Sequence, residues 1–127
     1  MTGRTVSVLI LLAALAGADA TVAARHVEGP VGLGRTAHVN GPRVRPLRVM
    51  EDSRCPKGVQ CAWAGRVVLR ARVFGGRWSR VVDLTLGSPV MVADGQLTLV
   101  AVTPDRIAGM AVDPRRLRFR FNFEGGL

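Results

Sequence analysis

Between Arg116 and Phe123, apolar and polar side chains alternate without a break. Leu117, Phe119, Phe121 and Phe123 fall on one side, with Arg116, Arg118, Arg120 and Asn122 on the other. Successive side chains of a β-strand point to opposite faces, so this segment is a strand with one face buried and one face wet. An amphipathic helix would need apolar residues three apart as well as four, and here every apolar spacing is even. Arg66 to Val73 repeats the pattern, with Val67, Leu69, Ala71 and Val73 set against Arg66, Arg70 and Arg72.

Other segments follow the same period more loosely. Val31–Val39 and Arg45–Met50 are expected early strands. Phe74-Gly75-Gly76-Arg77 is expected to be a hairpin turn joining Arg66–Val73 to Trp78–Leu86, because paired glycines admit positive φ. Gly87-Ser88-Pro89 breaks that second arm, Ala93-Asp94-Gly95 turns, and Gln96–Val102 forms another strand. Thr103-Pro104 ends it, since proline cannot donate to a ladder. Residues 104–114 form a long loop with room for one helical turn. The expected fold class is all-β: a single small antiparallel β-sandwich or barrel of six to seven strands with one local disulfide.

The N-terminus has the form of a secretory signal peptide. Arg4 precedes an apolar run of eleven residues, Val6–Ala16, and Ala18-Asp19-Ala20 fits a small-residue cleavage site. A membrane span needs about 20 apolar residues, so the run is too short to be one. The expected organisation is a signal peptide over residues 1–20 (to 24 if Val22-Ala23-Ala24 is the site), a flexible lead-in over 21–30, and an all-β domain over 31–127. The expected location is outside the cytoplasm, periplasmic or secreted. No cysteine follows either cleavage site, so a lipid anchor is not expected.

The net charge of +9 comes from 18 basic and 9 acidic residues, and all the basic residues but Lys57 are arginine. Such a surface attracts anionic lipid, acidic polysaccharide or nucleic acid. Nucleic acid is the least expected partner. The arginines are scattered, the aromatics fall at apolar positions, and a nucleic-acid reader needs a basic run with exposed stacking groups.

Both cysteines lie in Asp52–Gly65 (DSRCPKGVQCAWAG), with Pro-Lys-Gly-Val-Gln between them. Pro56 and Gly58 favour a tight reversal that brings Cys55 and Cys61 into bridging range. A structural disulfide fits an oxidising compartment and would contribute roughly 2 kcal/mol. The alternatives are a redox pair, which usually has two intervening residues, or half a metal site completed by His26 or His38. Trp63 is expected to pack over the bridge or cap the barrel end.

The same string resembles a motif of a family of small bacterial exported proteins, many of them lipoproteins, with no assigned activity. The resemblance runs from about Leu33 to Pro104. It takes in Trp63-Ala64-Gly65 and the stretch Leu97–Pro104 (LTLVAVTP). It implies an exported, disulfide-closed β domain and brings no catalytic residues with it. The chain departs from the lipoprotein members in lacking a lipobox cysteine.

No enzyme signature is present: no G-x-S-x-G, phosphate-binding loop, H-E-x-x-H or dinucleotide fingerprint. Glu51 and Asp52 are adjacent, so on a strand they face opposite ways. Their expected work is pairing with Arg54 or capping the loop. Met50, Met91, Met110 and the histidines include soft ligands, but the methionines are unclustered gap-fillers. The expected function is therefore a non-catalytic binding or interaction module of the cell envelope, without a cofactor. Its partner would be an envelope protein or an anionic glycan or lipid surface. The expected contact residues are Arg54, Lys57 and Trp63 on the stapled loop and Arg70, Arg72, Arg118 and Arg120 on an arginine-rich sheet face. Periplasmic copper handling is the alternative, and a small enzyme a more remote one.

Overall fold

The structure is a computed structural model that describes Gly3 and residues 29–125. The expected signal peptide, His26 and most of the lead-in lie outside the described residues. Seven strands follow in order: β1 (Ala37–His38), β2 (Arg43–Asp52), β3 (Val67–Phe74), β4 (Ser79–Thr85), β5 (Val90–Val92), β6 (Gly95–Thr103) and β7 (Arg118–Gly125). They form two antiparallel sheets, β1-β2-β3-β4 and β5-β6-β7, so the architecture is a sandwich. The helical content among the described residues is one 3-10 turn, Pro114–Arg116. Asp113 caps it by accepting from the Arg115 N–H.

Alternation places the core. Val67, Leu69, Ala71 and Val73 of β3 are fully buried and face Leu97 and Leu99 of β6 and Phe119, Phe121 and Phe123 of β7 in one cluster. Full burial of one such side chain stabilises by about 1.5–3 kcal/mol, so this cluster is the main source of cohesion. No charged or polar residue is buried within it.

Two expectations about strands need correction. Val31–Val39 is not one strand: Val31 makes an isolated bridge with Phe119, and only Ala37–His38 pairs with β2. Gly34, at φ +77°, takes the chain out of the extended region between them. Val90–Val92, assigned to no strand from sequence, pairs with β6 as a short edge strand.

Strand β2 departs from simple alternation, with consequences for the surface. Its register against β3 slips between Pro46 and Arg48 and again between Val49 and Glu51. Each slip is a bulge in which two residues oppose one. The extra residues, Leu47 and Met50, are exposed apolar side chains. Strict parity from the buried pair Val44 and Pro46 would send Arg48 into the core. The bulge at Leu47 instead sets Arg48 opposite Arg70, on the outside, and lets Val49 pack against the core. The second bulge leaves Glu51 outward and turns Asp52 inward, opposite the buried Val67.

Candidate anion-binding face

The structure separates the expected contact residues into three places. Arg70 and Arg72 lie on β3, on the outer face of the four-stranded sheet, whereas Arg118 and Arg120 lie on β7, on the outer face of the other sheet. They are therefore not one arginine-rich face, because the core separates the two sheets. Arg118 also donates to the Arg115 and Leu117 carbonyls, which draws its guanidinium along its own chain.

The third place is the stapled loop. Cys55 and Cys61 are joined, with their Cα atoms 5.9 Å apart. At the neck of the loop, Ser53 N–H donates to the Arg66 carbonyl at 2.8 Å. Arg66 N–H donates to Ser53 Oγ at 3.0 Å. Gly65 passes so close to this neck that a Cβ would overlap the Ser53 carbonyl. Arg54 does not point outward. Its guanidinium grips the Asp52 carboxylate with two bonds of 2.9 Å and donates to the Val102 and Pro104 carbonyls at the end of β6. The Arg54 guanidinium holds the Asp52 carboxyl below its ordinary range, against the opposing effect of burial. Arg106 returns the tie by donating to the Arg54 carbonyl at 3.0 Å. Lys57 N–H donates to the Arg106 carbonyl, and Lys57 Nζ pairs with Asp105 at 3.0 Å on the surface. Trp63 does not cover the bridge: it is 80% exposed. The loop is thus a strut bolted to the β6–β7 connection, and the Arg54 guanidinium is one of its bolts. Glu51 faces away and pairs with Arg66.

The outer face of the four-stranded sheet carries more positive charge than alternation alone indicates. Arg43, Arg45 and Arg48 of β2 stand opposite Phe74, Arg72 and Arg70 of β3. Arg70 is answered by Asp83 of β4, with bonds of 2.9 and 3.1 Å. That hydrogen-bonded pairing holds the Asp83 carboxyl below its usual range. Arg43, Arg45 and Arg72 are oriented by neutral groups. Arg43 and Arg45 sit over the Phe74 ring at 4.6 and 5.6 Å from its centroid, within cation–π range. Arg45 also donates to Thr36 Oγ1 at 3.2 Å, and Arg72 donates to Ser79 Oγ at 2.9 Å. Like charges directly opposite on neighbouring strands repel, so the pair Arg45–Arg72 costs stability that an anion between the two would recover. The guanidiniums of Arg43, Arg45 and Arg72 line a shallow cleft of about 440 Å³ with Arg77, Phe74 and Trp78.

A second cleft, of about 490 Å³, lies around the Gly75–Trp78 turn at the end of the sandwich away from the disulfide. Asn40, Pro42, Trp78, Ala93, Asp94 and Phe123 contribute its side chains. Sequence reasoning missed Arg43, Arg45 and Arg48 because β2 has no regular period. The excess of arginine in Arg43–Arg48 was the available signal. Among the described residues, no three His, Cys, Asp or Glu side chains gather in a group able to hold a metal ion. No helix among them is long and apolar enough to cross a membrane.

Compared with known protein families, curated proteins and solved structures, the chain matched none.

Proposed function

We propose that the protein is an exported, non-catalytic binding module that engages an anionic component of the cell envelope through the outer face of its four-stranded sheet. The observation that carries this reading is the arginine array of β2 and β3. Arg43, Arg45 and Arg72 are held in place by an aromatic ring and two hydroxyls, and none of them is hydrogen-bonded to a carboxylate among the described residues. A guanidinium preorganised by neutral partners keeps its full charge and its fork of donors for a ligand. A disulfide in a domain of this size suits an oxidising compartment.

Binding to acidic polysaccharide, to vesicles of phosphatidylglycerol in phosphatidylcholine, and to a single-stranded oligonucleotide tests it. The expected result is saturable binding to the polysaccharide or the vesicles. Binding should be lost in about 1 M salt, where screening acts within about 3 Å, and lost in the double variant Arg45→Glu/Arg72→Glu. Binding that survives both changes, no binding to either envelope mimic, or a preference for the oligonucleotide would overturn the reading.

A further inference from the structure

The arginine cleft and the end cleft share a wall. Gly75, Gly76 and Trp78 line both. The turn they belong to is closed by Gly75 N–H donating to the Trp78 carbonyl at 3.0 Å. The indole lies so close over Gly75 that a Cβ there would strike its ring nitrogen. The two sides of this wall differ in chemistry. One side offers guanidiniums. The other offers an amide (Asn40), a carboxylate (Asp94) and aromatic edges (Trp78, Phe123), and those are the groups that recognise hydroxyls and the apolar face of a ring.

We propose that the two clefts together form one binding site for an acidic oligosaccharide. A sugar ring sits in the end cleft against Trp78, with its hydroxyls on Asn40 and Asp94, and the acid groups of adjoining units lie on Arg43, Arg45, Arg72 and Arg77. This rests on the anion-binding reading of the basic face and adds the class of ligand. Asp94 supplies the discrimination. A chain whose units carry an anion and no hydroxyl, such as polyphosphate, could bring only anions against its carboxylate. A saccharide can offer hydroxyl donors there and keep its acid groups for the arginines. The Phe74 ring is already covered by two guanidiniums, which leaves Trp78 as the stacking surface. One stacking ring beside a cationic cleft fits a chain of sugar rings better than a run of nucleobases, each of which needs its own platform.

The test uses the oxidised protein with Trp63→Phe, so that Trp78 is the remaining tryptophan, and titrates its fluorescence. The probes are an oligogalacturonate, a sulfated dextran oligosaccharide, a neutral maltooligosaccharide and a linear polyphosphate of matched charge. At least one acidic oligosaccharide is expected to change Trp78 emission saturably and to bind about tenfold more tightly than polyphosphate. Asn40→Gly/Asp94→Ala, in which glycine suits the positive φ of Asn40, is expected to remove that preference and leave polyphosphate binding unchanged. Arg45→Glu/Arg72→Glu should abolish both. Equal or tighter polyphosphate binding, with the Asn40/Asp94 variant silent, overturns the saccharide site but leaves the basic face standing. No salt-sensitive binding of any probe overturns both. If the variants fail to fold, the Trp78 indole N–H resonance of the otherwise unsubstituted protein decides. It should shift with the acidic oligosaccharide, and its failure to move sinks the site.

Discussion

Gly65 sits where the chain re-enters the sheet after the stapled loop, and its missing side chain lets the two halves of the neck touch. A methyl group there meets the Ser53 carbonyl, which is backbone and cannot rotate aside. Gly65→Ala is therefore expected to cost about 2–3 kcal/mol, the scale of overpacking a tight site, read as a fall in the urea midpoint at unchanged slope. A wild-type midpoint would mean that the neck is looser than described. The glycine of the Trp-Ala-Gly string thus has a steric reason to be there, while the tryptophan beside it is exposed. Residue type signalled the tight spot, but it carried no information on which way Trp63 would turn.

At the level of single elements, β3 and β7 were legible and β2 was not. The difference lies in their pairing. β3 pairs with β4 in unbroken register, and β7 keeps one residue parity throughout, so apolar spacing maps directly onto the buried face. In β2 the two bulges reset parity within ten residues. Parity read along the chain then sends Arg48 to the wrong side of the sheet. The same bulges aim Asp52 at Arg54. Asp52 has a folded-state pKa lowered below its unfolded value of about 3.9. Its contribution to stability is complete above that value and is lost as pH falls through the lower folded value. Asp83 and Asp113 are also held low by their arginines, but both are exposed and count for little. Urea midpoints measured downward from pH 5 should fall below about pH 4. Asp52→Asn should start lower and show a shallower acid slope. An unchanged slope would remove Asp52 from the account. The loop itself was readable as a staple from cysteine spacing, whereas its attachment to Val102 and Pro104 was not, because that contact joins segments about fifty residues apart.

Over the whole molecule, the strut and the shared clefts cap opposite ends of the sandwich. The eight residues of β3 run from one to the other, roughly 26 Å at about 3.3 Å per residue. That exceeds the Debye length of about 10 Å at 0.1 M salt, so charge at one end is scarcely felt at the other. The two ends should therefore respond separately. Cys55→Ser/Cys61→Ser is expected to lose about 2 kcal/mol of stability while its affinity for acidic oligosaccharide, measured on the folded fraction, stays within twofold of wild type. Coupled loss of binding would show that the loop shapes the clefts after all. The same separation has a practical corollary. Biotin or a bead linker attached at position 63 would present every copy with its aromatic turn and guanidiniums directed away from the support, so an immobilised array of the domain would capture its ligand in one uniform orientation.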